Sequence, residues 1–238
     1  MSIPGWEQLA FIVAVTAVAA PLLGRYLAAT FRGGPASEPK GAPPPGLRSE
    51  ATREGGGSRA PGDRVFLPIE RLVYRVLGAD AESSWTWRSY ALAVLAFGLV
   101  STLLLYAILR LQGVLPGNPM HAPGMSPLLS FNTAVSFITG TNWQAYEGET
   151  QASYLADMAG LVVAQFTAAA VGLAVALAVV RGIAGSSRRI GNFWVDFTRS
   201  LVRVFVPLSV IGAIVLVSQG VVQNLTGFRT ASTLAGGT

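Results

Sequence analysis

The sequence has no cysteine and only one histidine, His121. Without thiols, disulfides, thiolate metal sites and a cysteine nucleophile are excluded. The lone imidazole sits between Pro119 and Pro123 in what reads as a loop, so a zinc site or a Ser-His-Asp arrangement has almost no raw material. An intramembrane hydrolase is disfavoured for the same reason. No Walker A sequence and no phosphorylatable aspartate motif is evident, so any ATP hydrolysis is expected from a partner. Charge is scarce as well: only 12% of the 238 residues are Asp, Glu, Lys or Arg. What is abundant is apolar. Mean hydropathy is +0.50, and long uncharged runs mark an integral membrane protein rather than a soluble domain.

The few charges are unevenly placed. A net charge of +5 could point to nucleic acid or anionic lipid, but its distribution argues for topology. Ten of the 17 basic residues lie between Arg25 and Arg88, five more between Arg181 and Arg203, and none in Gln112–Ala156. This alternation is the positive-inside pattern, and it puts 25–88 and 181–203 in the cytoplasm. Four spans are expected: Trp6–Leu23, Tyr90–Leu109, Met158–Val180 and Val204–Val222. Each is long enough for a hydrocarbon layer of about 30 Å. Glu7 precedes the first span and Arg25 follows it, the wrong polarity for a secretory signal. The N-terminus is therefore expected outside.

Residues 33–64 hold GGP, PPPG and GGG with mixed charge, a composition that cannot bury enough surface to fold. Val65–Gly78 (VFLPIERLVYRVLG) then places Ile69, Leu72, Val73 and Val76 at i, i+3, i+4 and i+7, with Glu70, Arg71 and Arg75 on other faces. This reads as an amphipathic helix at the cytoplasmic membrane surface, or one packed on a soluble partner. The expected organisation is a first transmembrane helix (1–24), a disordered cytoplasmic linker (25–64), an amphipathic cytoplasmic segment (65–88), a unit of helix, half-helix, turn and helix (89–181), and a loop with the first helix of a second, incomplete unit (182–238).

Residues 126–150, SPLLSFNTAVSFITGTNWQAYEGET, are the most informative stretch. The apolar run Leu128–Ile138 would make a helix of roughly 16 Å, half a bilayer, and it stops at Thr139-Gly140-Thr141-Asn142-Trp143. A short helix between two spanning ones, ending in a polar turn, is the plan of a cation-selective pore in which carbonyl oxygens replace the ion's hydration shell. Gly140 would supply dihedral freedom, Thr139 and Thr141 hydroxyl and carbonyl oxygens, Asn142 a brace, and Trp143 an interfacial anchor. The same residues also read as an ordinary re-entrant loop with polar caps. Glu147 and Glu149, with no basic residue near them in sequence, would either raise local cation concentration at an outer mouth or belong to a solvated loop.

In the third span, Ala164, Ala168, Gly172 and Ala176 recur every four residues and would allow close helix packing. Gln165 would make an interhelical hydrogen bond. In the fourth span, Pro207 should kink the helix or begin its regular part. Asn224-Leu225-Thr226 matches a glycosylation acceptor, a triplet common by chance.

FNTAVSFITGTNWQAYEGE (131–149), MAGLVVAQF (158–166) and GNFWVDFTRSLVRVFVPLS (191–209) together resemble the potassium-binding subunit of the bacterial Kdp-type potassium-transporting P-type ATPase. VFLPIERLVYRVLG (65–78) is similar to the family's stretch ahead of its second helix. The resemblance covers nearly the whole chain apart from 33–64 and the last dozen residues. It implies an all-α integral membrane fold of the superfamily of potassium transporters, here four transmembrane helices plus one re-entrant pore half-helix and filter loop. That is one repeat of the family's four, followed by the start of another. It implies that Thr139, Gly140, Thr141 and Asn142 form the first quarter of a potassium filter, supported by Ser136, Trp143 and Gln144. It implies potassium as transported substrate, no organic cofactor and no other metal. The implied partners are a P-type ATPase catalytic subunit that hydrolyses ATP, small accessory membrane subunits, and lipid of the bacterial inner membrane, with no nucleic acid. The family has Asn between the two threonines where this sequence has Gly140. Family members are over twice this length, so the sequence reads as an N-terminal portion, and a non-conducting scaffold or assembly protein is the alternative.

Overall fold

The computed structural model describes residues 3–31, 60–184 and 189–221. The elements are α1 (Ile3–Phe31), α2 (Asp63–Leu77), α3 (Trp87–Leu111), α4 (Pro127–Ile138), the single turn α5 (Gly148–Gln151), α6 (Val163–Ala184), α7 (Phe193–Arg199) and α8 (Val206–Ser218). Two π-helical turns interrupt the regular pattern. Ala156–Val162 leads into α6, and Ser200–Phe205 joins α7 to α8. Short strands β1 (Trp85–Thr86) and β2 (Arg189–Gly191) pair antiparallel, Trp85 opposite Gly191 and Thr86 opposite Arg189. Residues 32–59 of the expected linker and the Asn224–Thr226 triplet lie outside the described residues.

Four helical stretches are long and apolar enough to cross a membrane: Gly5–Phe31, Trp87–Leu111, Ala156–Ala184 and Phe193–Ser218. Their outward faces carry exposed Leu, Val and Ile, such as Leu92, Leu95 and Leu99 on α3. In water such faces would be a liability; in lipid they are solvated, and a helix also satisfies its own backbone there. The chain is an all-α multi-pass membrane protein.

The first and fourth spans begin or end away from the sequence expectation. Helix α1 runs on through Arg25 to Phe31, with Thr30 and Phe31 buried. The fourth helix starts at Phe193 rather than Val204. Its N-terminus is capped by Asn192, whose Oδ1 accepts from the Trp194 amide at 3.0 Å, while its Nδ2 donates to the Asp80 carbonyl and to Ser83 Oγ. Arg199 and Arg203 looked like loop charges because an unpaired arginine does not belong in an apolar helix. Both have a partner. Glu70 of α2, wholly buried, accepts from Arg203 Nε, and its Oε2 lies 3.6 Å from Arg199 Nε, an ion-pair distance too long for a hydrogen bond. Arg203 Nη1 also donates to Asp63 Oδ1 at 2.6 Å, and its guanidinium lies over the Phe66 ring. The regular helix then resumes at Val206 with Pro207 in its first turn, where a missing N–H is harmless.

The core forms two clusters. In one, Leu105 and Leu109 of α3, Ala134 and Phe137 of α4, and Leu161 and Ala164 meet, and Gly160 lets the third span approach α3 closely. In the other, Tyr90 and Phe97 of α3 stack with Phe193 and Phe197 of α7 against Ala170, Ala174 and Ala178. The Tyr90 hydroxyl donates to the Ala174 carbonyl at 2.8 Å and to Asp196 Oδ2, and Asp196 is held bidentately by Arg181 at 2.6 and 2.9 Å.

Within this chain only part of the expected packing stripe of the third span meets a neighbour. Ala164 is buried and Ala168 half-buried, but Gly172 and Ala176 are exposed. The buried small residues of the C-terminal half are Ala170, Ala174 and Ala178. A four-residue repeat drifts about 40° per step around a 3.6-residue helix, so it leaves the contact face while the packing partner changes from α4 to α7. Gln165 is likewise exposed and, among the described residues, makes no interhelical bond.

Candidate functional site

Helix α4 is built to start and stop sharply. Ser126 caps it, accepting from the Leu129 amide, and Pro127 occupies the first turn. Its N-terminal end is tied to α3: the Met125 amide donates to the Leu109 carbonyl at 3.1 Å, and Arg110 donates to the Met125 carbonyl. Gly124 lies so close to the Arg110 carbonyl that a Cβ there would collide with backbone. Gln112, fully buried, gathers the connections on either side of α4. Its Nε2 donates to the Pro123 and Gln151 carbonyls at 2.7 and 2.8 Å, and its Oε1 accepts from the Ser153 amide at 3.0 Å. The sequence shows only a glutamine directly after the apolar run of α3; its burial and its partners are set by the fold.

The other end of α4 lies far from that anchor. Ile138 and Thr139 share an apolar cavity of about 260 Å³ with Gly98 and Thr102 of α3 and with Thr167 and Ala168 of α6. Residues 98–102 are the middle of α3, and 167–168 lie well inside the third span. The short helix therefore begins beside the end of α3 and finishes beside its midpoint.

The turn after α4 is a Schellman motif followed by one more tight residue. The Gly140 amide donates to the Phe137 carbonyl at 3.2 Å and the Thr141 amide to the Ser136 carbonyl at 2.9 Å, the two reversed bonds that define the motif. Gly140 has φ +78°, and no atom would meet a Cβ there within 4 Å, so glycine is required by the dihedral and not by crowding. Asn142, at φ +56°, adds its amide to the Ser136 carbonyl at 3.1 Å; Asn is the side chain that best tolerates that region. The Trp143 amide donates to Ser136 Oγ. Ser136, itself buried, thus collects three successive amides on its two oxygens. Thr139 Oγ1 donates back to the Val135 carbonyl at 2.8 Å.

The consequence is polar asymmetry. Every N–H from Thr139 to Trp143 is turned back onto α4. Among the described residues no hydrogen bond ends on the carbonyls of Thr139, Gly140, Thr141 or Asn142, and all four residues are exposed. Four peptide oxygens are thereby presented to whatever faces the turn. Trp143 is 65% exposed. Gln144 donates to the Tyr146 hydroxyl at 3.3 Å, and burial pushes the Tyr146 phenol up to about 12, so it stays neutral. Glu147 is exposed and caps α5, its carboxylate accepting from Thr150 Oγ1; the Glu149 side chain lies outside what is described. His121 is an exposed loop residue at φ +53°. No group of three or more His, Asp or Glu side chains that could hold a metal ion occurs among the described residues.

A prediction follows for Ser136. Ser136→Ala removes the acceptor for the Trp143 amide while leaving the Schellman bonds, which use the main chain. The expected cost is about 1 kcal/mol, seen as roughly fivefold faster hydrogen exchange at the Trp143 amide with Gly140 and Thr141 little changed. Unaltered protection at Trp143 would remove Ser136 Oγ from the account.

The family profile of KdpA, the potassium-transporting ATPase A subunit, matches residues 10–238. This chain belongs to that family. Among curated relatives, the potassium-transporting ATPase potassium-binding subunit of Mycobacterium tuberculosis is 45% identical over 237 residues, covering 99% of this chain and 38% of the relative. That of Rhodospirillum centenum is 44% identical over 238 residues, covering all of this chain and 37% of the relative. That of Kineococcus radiotolerans is 55% identical over 172 residues, covering 72% of this chain and 31% of the relative. The chain thus spans less than two-fifths of the length of these members of the KdpA family.

Proposed function

We propose that this chain supplies the first quarter of the potassium filter in a potassium-binding subunit of an ATP-driven uptake complex. Thr139, Gly140, Thr141 and Asn142 form the filter strand, and Ser136, Trp143 and Gln144 support it. One observation carries the proposal: four consecutive carbonyls are free of hydrogen bonds at the end of a half-length helix, beside the midpoint of a spanning one. A dehydrated monovalent cation needs just such neutral oxygen dipoles, which hold it without binding it too tightly to leave. The re-entrant path of α4 is part of the same reading, since irregular backbone at that depth is stable only where it lines a protein-enclosed or watery space. The names of the relatives, potassium-binding subunits of a potassium-transporting ATPase, support potassium as the ion and further subunits of such an ATPase as partners. ATP would be hydrolysed by a separate P-type ATPase subunit. Glu147 and Glu149 would enrich cations near the entrance, and Gly172 and Ala176 would offer a small-residue face to a further helix in a subunit of the relatives' length.

A single strand gives a quarter of a coordination ring, so these 238 residues alone are expected not to bind or conduct potassium selectively. Isothermal titration and flux assays on the purified chain test this, and selective potassium flux through a monomer would overturn it. Transfer of residues 126–150 into a full-length potassium-binding subunit, assembled with its ATPase partner, should preserve high-affinity uptake. Loss of uptake in a correctly assembled complex would reject the filter assignment.

In the same proposal the chain lies in the bacterial inner membrane with its N-terminus external. Reporter fusions after residue 50 and after residue 188 are expected to report cytoplasm. An external signal from either would break the charge-based orientation.

A further inference from the structure

Helix α2 sorts its charges by sign, which its sequence alone did not show. Both acidic residues turn inward. Glu70 and Asp63 are consumed by Arg203, with Arg199 alongside. The basic residues Arg64, Arg71 and Arg75 are not part of that cluster, and Arg71 and Arg75 are exposed. Beside them runs an exposed stripe of Val65, Ile69, Leu72 and Val76, at 64%, 45%, 59% and 77% exposure. At 100° per residue these four fall within about 60° of one another, with the three arginines together on one flank of the stripe. The free surface of α2 is therefore apolar and purely cationic.

The clamp also sets its height. Arg203 is the last charged residue of the fourth helix, which is uncharged from Val204 to Val221. The Arg203 carbonyl accepts from the Tyr26 hydroxyl at 2.7 Å, and Tyr26 follows Arg25, the residue at which the long uncharged run of α1 ends. Two independent helices therefore mark the edge of the apolar slab at one level, and α2 is bonded to that level.

We propose that α2 is a docking helix for anionic lipid: Val65, Ile69, Leu72 and Val76 enter the edge of the hydrocarbon, and Arg64, Arg71 and Arg75 engage phosphate headgroups. The acidic residues that would repel such a surface are neutralised against the bundle. The opposite face is held rigidly by the ion cluster, so the stripe is presented to lipid without a separate folding step. A soluble acidic protein would satisfy the arginines but not an apolar stripe at the slab edge.

The absence of cysteine makes the test clean. Single cysteines replace Leu72 and Val76 in the 238-residue chain, each labelled with bimane and reconstituted in mixed phosphatidylglycerol–phosphatidylcholine nanodiscs. Spin-labelled phosphatidylglycerol should quench both probes, and more strongly than spin-labelled phosphatidylcholine at equal mole fraction. Each basic residue near an anionic surface strengthens attachment about fivefold, so local enrichment of about fivefold or more is expected. The triple variant Arg64→Gln, Arg71→Gln, Arg75→Gln lies outside the ion cluster and should keep the lipid contact while abolishing the preference. Three results would each overturn the proposal: quenching by aqueous iodide without lipid quenching, protection from both quenchers, or equal quenching by the two lipids. Potassium takes no part in the readout, so the outcome is independent of the filter assignment.

Discussion

Gly140→Val, made in a full-length potassium-binding subunit carrying this region, should weaken potassium affinity by about tenfold to a hundredfold while the protein still assembles. At φ +78° a β-branched residue sits where only glycine is unstrained, at a cost of order 1–3 kcal/mol. Every 1.4 kcal/mol that reaches the binding equilibrium is about tenfold. No atom would collide with the new side chain's Cβ, so α4 has no reason to unfold. The strain is relieved instead by rotating the Gly140–Thr141 peptide, which re-aims the carbonyls proposed to meet the ion. Gly140→Asn provides the control, because Asn tolerates that region; it should keep most of the affinity. Potassium uptake at micromolar concentrations reads both. Wild-type affinity in Gly140→Val would reject any dependence of binding on this turn, and equal losses in the two variants would point to side-chain bulk rather than backbone geometry.

Glu70→Ala should be among the most destabilising single substitutions in the chain, by roughly 3–5 kcal/mol. Glu70 is fully buried and the Arg203 side chain is 1% exposed. Removing the carboxylate leaves Arg203 with Asp63 alone and Arg199 without an acid, inside a helix whose neighbours are apolar. An uncompensated buried guanidinium costs far more than the pair contributes when intact. The double variant Glu70→Leu with Arg203→Met should recover part of the loss, since it replaces the most deeply buried pair by apolar side chains and leaves only the partly exposed Asp63 and Arg199 unpaired. The Tyr74 phenol supports the picture: burial first, and the Glu70 charge second, push it above the ordinary tyrosine range, so it remains a neutral donor to Glu70. Thermal unfolding in detergent, with exposed Arg75→Ala as the neutral comparison, measures the effect. A Glu70→Ala melting curve superimposed on the wild type would show that α2 is not held by this cluster.

Much of the molecule was legible before any coordinates, for identifiable reasons. Spans are read from apolar length, and the second and third were centred correctly because a helix in lipid must be apolar on nearly every face. The half-length of α4 followed from Leu128–Ile138, and its abrupt end from Thr139-Gly140. The errors share a cause. Arg199 and Arg203 were assigned to a loop because sequence shows a charge but not its partner, and Glu70 is more than a hundred residues away. That Ala170, Ala174 and Ala178 are the small residues of α6 buried within this chain is likewise invisible in a four-residue repeat. The two π-helical turns left no mark in composition. Ser136 was singled out only through family resemblance; its physical role, receiving three amides, required coordinates.

The sequence by itself determined that the chain is a helical membrane protein with a half-length helix ending in a glycine turn, because hydropathy, helix length and the need for φ above zero are local properties. Only the tertiary structure decided which charges pair across the chain, how far along the spans the turn lies, and that no hydrogen bond among the described residues claims its peptide oxygens. Those depend on distances between residues far apart in sequence, and no local pattern encodes them.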